Sequence, residues 1–220
     1  TLGLAILVRI YKIDFQSFWF DEIHSWSVIN TDSIAQAWTN VASNELMPPG
    51  YFLILWVVNQ ALGASEFSYR LPSALFGIAT IPIIYALAKR LFSREVGLLS
   101  AVVCAGSWVP IYYSQEARPY SMLFFGVCLS FYFWVRLIEA PQTKLWVGYF
   151  VAGLLCLYSH YLGGLIVFLQ FALVFAKRFS TPKLNLAPWL LLGVGFTLCY
   201  LPWFGALWNN LAHPGLVWFP

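Results

Sequence analysis

Charge is what this sequence has least of. Twelve basic and nine acidic side chains among 220 residues make it only 10% charged, against 60% hydrophobic, with a mean hydropathy of +0.73. A chain of that composition cannot hide its apolar surface in water, which excludes an ordinary soluble domain and makes the bilayer its solvent. The net charge of +3 is too small to suggest a nucleic-acid partner. Cysteine is scarce as well. Cys104, Cys128, Cys156 and Cys199 each stand alone in an apolar stretch, without the close pairing of a zinc or redox motif, and read as small hydrophobes. The apolar runs also lack the period-two alternation of a membrane barrel, leaving helices as the way to satisfy backbone groups in lipid.

Aromatic side chains are abundant instead. They make up 19% of the chain, with eleven Trp and twelve Tyr, as suits many bilayer–water boundaries where amphipathic rings settle. Apolar segments of helical length run over 71–88, 96–113, 120–138 and 186–208, with shorter ones at 50–62, 145–158 and 161–176. The expected fold is all-α, a polytopic membrane bundle. One domain covers 1–220, with a long exofacial loop over 14–70 and transmembrane helices over 71–208. The run over 1–10 falls short of the roughly 20 residues a span needs and has neither basic leader nor small-residue cleavage site. It reads as a clipped first helix, so the chain is expected to be truncated at its start.

The placement of charge orients the segments. Lys89, Arg90 and Arg94, then Arg136 and Lys144, then Lys177, Arg178 and Lys183 fall in every second connection, which the positive-inside rule assigns to the cytoplasm. Asp14, Asp21, Glu22, Asp32, Glu45, Glu66 and Glu116 fall in the others, leaving Glu95 and Glu139 inside. Keeping that alternation requires that 50–62 not span and that a break at Ser159-His160-Tyr161 reach the outer face. Within the 14–70 loop, Asp32 or Thr31 can cap a surface helix whose Ile34, Trp38 and Val41 form one apolar stripe.

Three polar clusters are candidates for chemistry. In Phe18-Trp19-Phe20-Asp21-Glu22-Ile23-His24, a carboxylate partly desolvated against rings is a stronger proton acceptor, so Asp21 reads as a general base. The competing reading makes Asp21 the cap of a helix starting at Glu22. In Tyr112-Tyr113-Ser114-Gln115-Glu116-Ala117-Arg118-Pro119-Tyr120, Pro119 stiffens the turn. Arg118 can then hold phosphate oxygens with two parallel hydrogen bonds and neutralise a leaving phosphate, or else pair with Glu116 or snorkel to headgroups. Glu66 and Arg70 are four apart and read as a salt bridge at the membrane edge. His160, followed by Gly163 and Gly164, either hydrogen-bonds within the helix break or meets acceptor, phosphate or metal. Asn44, Glu45 and Met47 precede a rigid Pro48-Pro49-Gly50-Tyr51 turn, and His213 has little context.

Together, the aromatic-Asp-Glu motif, Pro48-Pro49-Gly50-Tyr51-Phe52, the stretch from Glu66 to Ser73, Gln115 to Tyr120 and Leu157 to Tyr161 resemble the glycosyltransferase C superfamily. The nearest likeness is to the dolichyl-phosphate-mannose protein mannosyltransferase-like family, which includes bacterial enzymes that add aminoarabinose to lipid A. The resemblance spans essentially the whole chain in order. It implies an inverting membrane transferase that takes a sugar from a polyprenyl- or dolichyl-phosphate donor to an exofacial hydroxyl of a lipid, glycan or protein acceptor. It assigns Asp21 and the adjacent Glu22 to catalysis and Arg118 to the donor phosphate. Beside these, Arg70 or His160 is expected to assist Arg118 at the phosphate, and Tyr120, Glu116 and Tyr51 are expected to meet substrate.

No cofactor is required by the likeness. A divalent metal stays open, because Met47 stands where a histidine often precedes the double proline. The implied setting is a bacterial inner membrane, among its lipids, with the site on the exofacial side. Further helices are expected past Trp218-Phe219-Pro220, with part of the donor site on them. The rival function is a transporter or flippase for a lipid-linked saccharide, set second because most charges lie in loops. A non-catalytic subunit that binds a partner through the aromatic loop is the third.

Overall fold

The computed structural model describes residues 2–180 and 185–212. Lys183, His213 and the Trp218-Phe219-Pro220 terminus lie outside the described residues. The described residues form helices joined by short turns: α1 Leu2–Ile10, α2 Phe20–Ile29, α3 Ile34–Asn44, α4 Gly50–Leu62, α5 Glu66–Leu91, α6 Arg94–Gly106, α7 Trp108–Ser114, α8 Tyr120–Glu139, α9 Thr143–Ser159, α10 Tyr161–Ser180 and α11 Ala187–Ala212. Four of them, α5, α8, α10 and α11, are long and apolar enough to cross a membrane, and α6 with α7 makes a fifth if the bent pair is one span. The all-helical reading holds. α4 has only 13 residues, about 20 Å of helix, too short to span.

Neighbouring contacts fix the helix directions. Phe76 meets Phe125, and Arg90 pairs with Glu139, so residue numbers rise together and α5 runs parallel to α8. Gly126 lies against Cys156 and Gly148 against Phe133, which makes α8 and α9 antiparallel. α9 and α10 also run antiparallel, since Gly163 abuts the Cys156 carbonyl while Tyr149 bonds Gln170. The turn between them is the single extended residue His160 (φ −161°, ψ 148°), at the break expected from charge placement. These directions gather the start of α5, the end of α7, the start of α8 and the α9–α10 turn at one end of the bundle. Lys89, Arg90, Arg94, Arg136, Lys144, Lys177 and Arg178 gather at the other.

The segment expected as one helix over 96–113 is two, bent by 56°. Pro110 lacks the N–H that would bond the Gly106 carbonyl, and its ring crowds that same carbonyl, which favours a bend here, whereas α5 and α11 absorb Pro82 and Pro202 without a break. Carbonyls freed near the bend find an unexpected donor. Arg9, fully buried in α1, donates from Nη2 to Cys104 O and from Nη1 to Ala105 O, both at 3.1 Å.

Midway through the bundle, Gln170 of α10 accepts from Tyr149 Oη at 2.9 Å and donates to Ser130 Oγ at 3.0 Å. That fully buried amide therefore ties α8, α9 and α10 together. All four cysteines are free, three of them buried.

The 14–70 segment is folded onto the bundle end, not looped away from it. Val28 and Ile29 of α2, Val41 of α3, and Tyr51, Phe52 and Leu55 of α4 form one core with Tyr69, Met122 and Trp203. The cap of α3 is Ser33, whose Oγ accepts from Gln36 N at 3.3 Å. Asp32 and Thr31 do not serve there, and the Thr31 carbonyl instead accepts from Trp56 Nε1 at 3.1 Å. The buried stripe of α3 is also shifted. Ala37 and Val41 are buried and Trp38 packs edge-on against Trp203 of α11, whereas Ile34 is 48% exposed. Contacts across to α11, invisible to local periodicity, turn the helix.

Candidate active site

α2 begins at Phe20, so Asp21 sits inside the helix and does not cap it. The residue that reaches back is Glu22, whose Oε2 accepts from Trp19 N at 3.4 Å. Glu22 is fully buried. Its Oε1 also accepts from Arg70 Nε at 2.8 Å and Ala117 N at 2.9 Å, and its Oε2 from Arg70 Nη2 at 2.6 Å. Arg70 completes the clamp by donating from Nη1 to Ile13 O and Gln16 O, both at 2.8 Å, and from Nη2 to Ser17 O at 3.3 Å. All five guanidinium N–H groups are thereby engaged.

Arg70 was expected beside Glu66 or on a phosphate; its ion-pair partner is Glu22, and it keeps no donor for a ligand. This buried, bidentate pair is strong because each charge has replaced its lost water with hydrogen bonds. It seats α2 against α5 and against the 115–119 turn.

Arg118 is used differently. It is 3% exposed, and its Nη1 donates to Glu45 Oε2 at 3.0 Å and Ser25 Oγ at 3.2 Å. Glu116 is not its partner. Glu45 in turn accepts from Leu46 N and Met47 N through Oε1, and its Oε2 stands 3.5 Å from His24 Nε2. Burial alone would lower the Arg118 pKa, but the adjacent Glu45 carboxylate outweighs it and holds the guanidinium firmly charged.

The Nε of Arg118, one of the two donors on its bidentate edge, is buried with no acceptor. Asp21 lies one helical turn from this contact. Ser25, four residues on, donates its hydroxyl to Asp21 O while accepting from Arg118, and the Asp21 charge acts on Arg118, Glu116 and Tyr120. Asp21 itself is half-buried.

The other expected residues divide. Tyr120 is within hydrogen-bonding reach of Arg118, and its ring lies 6.3 Å from that of His160. Burial, then the nearby Arg118 charge, pushes the His160 pKa down. The imidazole is therefore neutral, and because Nδ1 accepts from Leu162 N at 3.0 Å, the proton belongs on Nε2. Glu116 is buried beside Tyr112, and burial, with Glu22 and Asp21 close by, raises its pKa despite the Tyr112 hydrogen bond.

Tyr51 does not reach the cluster. Ser73 Oγ donates to Arg118 O at 3.2 Å, so its 2.6 Å contact with Tyr51 Oη takes the Tyr51 proton. Tyr51, fully buried, thus braces the backbone of Arg118.

A metal does not fit this arrangement. Among the described residues no three His, Cys, Asp or Glu side chains converge on one point. Among the described residues the one His–carboxylate approach, His24 to Glu45, shares its oxygen with the cationic Arg118.

Glu45 and His24 were named in the sequence without a role, and Ser25 was not singled out. The available signal was Glu45 itself, an acid at the C-cap of α3, where the helix dipole disfavours negative charge.

A family model described as dolichyl-phosphate-mannose-protein mannosyltransferase matches residues 47–204. That span holds Tyr51, Arg70, Glu116, Arg118, Tyr120 and His160; Asp21, Glu22 and Glu45 precede it. A protein of Aquifex aeolicus (strain VF5), described as uncharacterized, is 24% identical over 157 residues, which is 68% of this chain and 32% of that protein. The chain thus spans about a third of the length of this curated relative.

Proposed function

The chain belongs to the dolichyl-phosphate-mannose-protein mannosyltransferase family, and from that premise we propose that it forms the catalytic end of a membrane glycosyltransferase using a polyprenyl- or dolichyl-phosphate sugar. The observation that carries the reading is Arg118. A charged guanidinium, fixed through Nη1 by Glu45 and Ser25, presents a buried Nε without an acceptor, next to Tyr120 and within the field of Asp21. A phosphate oxygen is the acceptor that this edge lacks.

In the proposed step, the acceptor hydroxyl transfers its proton to the Asp21 carboxylate as its oxygen bonds to the anomeric carbon. The bond from that carbon to the phosphate oxygen breaks, and the electron pair leaves with the lipid phosphate. Arg118 stabilises the growing negative charge, the neutral His160 offers an Nε2 proton nearby, and attack from the side opposite the phosphate inverts the anomeric centre. Glu22 and Arg70 act as positioning residues: their ion pair orients α2, and with it Asp21. The acidic, aromatic end is assigned to the exofacial side and the basic end to the cytoplasm.

The test incubates the full-length protein with labelled polyprenyl-phosphate sugars and follows whether label leaves the lipid. Asp21→Asn is expected to lower transfer by about 10² to 10⁴ while its thermal unfolding matches wild type. A normally folded Asp21→Asn protein with full transfer would remove Asp21 from the chemistry. Flux of intact sugar-lipid without bond cleavage would make the protein a transporter.

A further inference from the structure

We propose that the basic end of the bundle binds the phosphate of an anionic membrane phospholipid, between α5 and α8 and a full helix length from Arg118. A cavity of about 290 Å³ opens there, lined by Tyr85, Ala86, Lys89, Arg90 and Tyr132. Because α5 and α8 run parallel, their last turns end side by side. The Arg90–Glu139 ion pair closes that end by linking them.

Two of the cations around this cavity have no such partner. Lys89 Nζ stands 5.7 Å from the centre of the Tyr85 ring. Arg136 lies 5.5 Å over the Tyr132 ring and donates to its hydroxyl at 3.1 Å. Neither has a carboxylate within ion-pair distance among the described residues. Arg90 commits Nε and Nη2 to Glu139, and the remaining carboxylate of this end, Glu95, bonds Ser93 in the first turn of α6. Among the described residues, Lys89 and Arg90 therefore line the cavity and Arg136 sits on its Tyr132 wall, with Glu139 pairing only Arg90 and two tyrosine rings holding the unpaired pair in place.

The surroundings select a lipid over a free ion. Leu91 and Phe92, which follow Arg90, are 50% and 73% exposed, and an acyl chain would cover them while its phosphate sits between Lys89 and Arg136. Tyrosine at this depth matches the headgroup region, and basic pockets between membrane helices are recognised settings for anionic headgroups. The site is separate from the proposed sugar transfer and needs none of its residues.

Native mass spectrometry of the full-length protein in mild detergent, with added phosphatidylglycerol or phosphatidylcholine, tests the site. Wild type is expected to retain one phosphatidylglycerol at least five-fold better than phosphatidylcholine, a comparison that stands even where a variant fails to fold. The double substitution Lys89→Gln and Arg136→Gln should abolish the preference, while Lys144→Gln, which removes a charge of the same end outside the cavity, should keep it. Equal retention of both lipids, an unchanged preference in the double variant, an equal loss in Lys144→Gln, or displacement of the lipid by millimolar inorganic phosphate would each overturn the proposal.

Discussion

Arg70 and Arg118 occupy the same end of the bundle, yet their hydrogen-bond inventories separate their roles. Arg70 engages all five donors with Glu22 and three backbone carbonyls, whereas Arg118 keeps a buried Nε open. Glu116, in the turn just before Arg118, makes a prediction about pH. Its carboxyl is pushed above the ordinary value of 4.5, first by burial and then by Glu22 and Asp21. A raised folded pKa favours the protonated fold: that stability is complete below pH 4.5 and is lost as pH rises through the raised value. Glu116→Gln, which keeps the shape without the charge, should therefore raise the Tm at neutral pH and flatten its decline from acid to neutral. A tenfold difference in proton affinity between the folded and unfolded chain corresponds to about 1.4 kcal/mol. Tm measured against pH for both proteins checks this, and a variant less stable than wild type at every pH would contradict it.

Among the elements, the α9–α10 hairpin depends on one missing side chain. A Cβ on Gly163 would stand 2.1 Å from the Cys156 carbonyl oxygen, while one on Gly164 would meet only Leu157 at an ordinary 3.6 Å. Gly163→Ala must therefore push α10 away from α9 and is expected to cost about 1–3 kcal/mol. Gly164→Ala should be neutral or slightly stabilising, because alanine is the better helix former. Thermal unfolding in detergent distinguishes the two, and equal Tm values would mean that the hairpin packs more loosely. His160 sits on this turn, so Gly163→Ala should also move its ring away from Tyr120. The α6–α7 bend was missed although Pro110, which favours it, was in plain view. The long apolar run masked it, and its unexpected donor Arg9 belongs to another helix.

At the scale of the whole molecule, the alternation of basic and acidic ends predicts sidedness. In a Cys199→Ser background, which removes the exposed thiol and leaves only buried ones, a cysteine replacing the exposed Ala64 should react with a membrane-impermeant maleimide on intact cells. One replacing the exposed Lys144 should react only after permeabilisation; the reverse pattern would place the Asp21–Arg118 cluster in the cytoplasm. Scarce charge and apolar runs by themselves determined that the chain is a helical bundle dissolved in lipid. The spacing of basic residues determined which ends lie together, and with it that 50–62 does not span and that the chain turns at His160. Hydropathy and charge placement are legible along the chain because each residue settles them separately with its solvent. Which carboxylate meets which guanidinium is settled by packing: Glu22 with Arg70 across 48 positions, and Glu45 with Arg118 across 73. Once buried, a charge takes whatever hydrogen-bonding partner the folded chain brings within about 3 Å, and no local pattern encodes that distance.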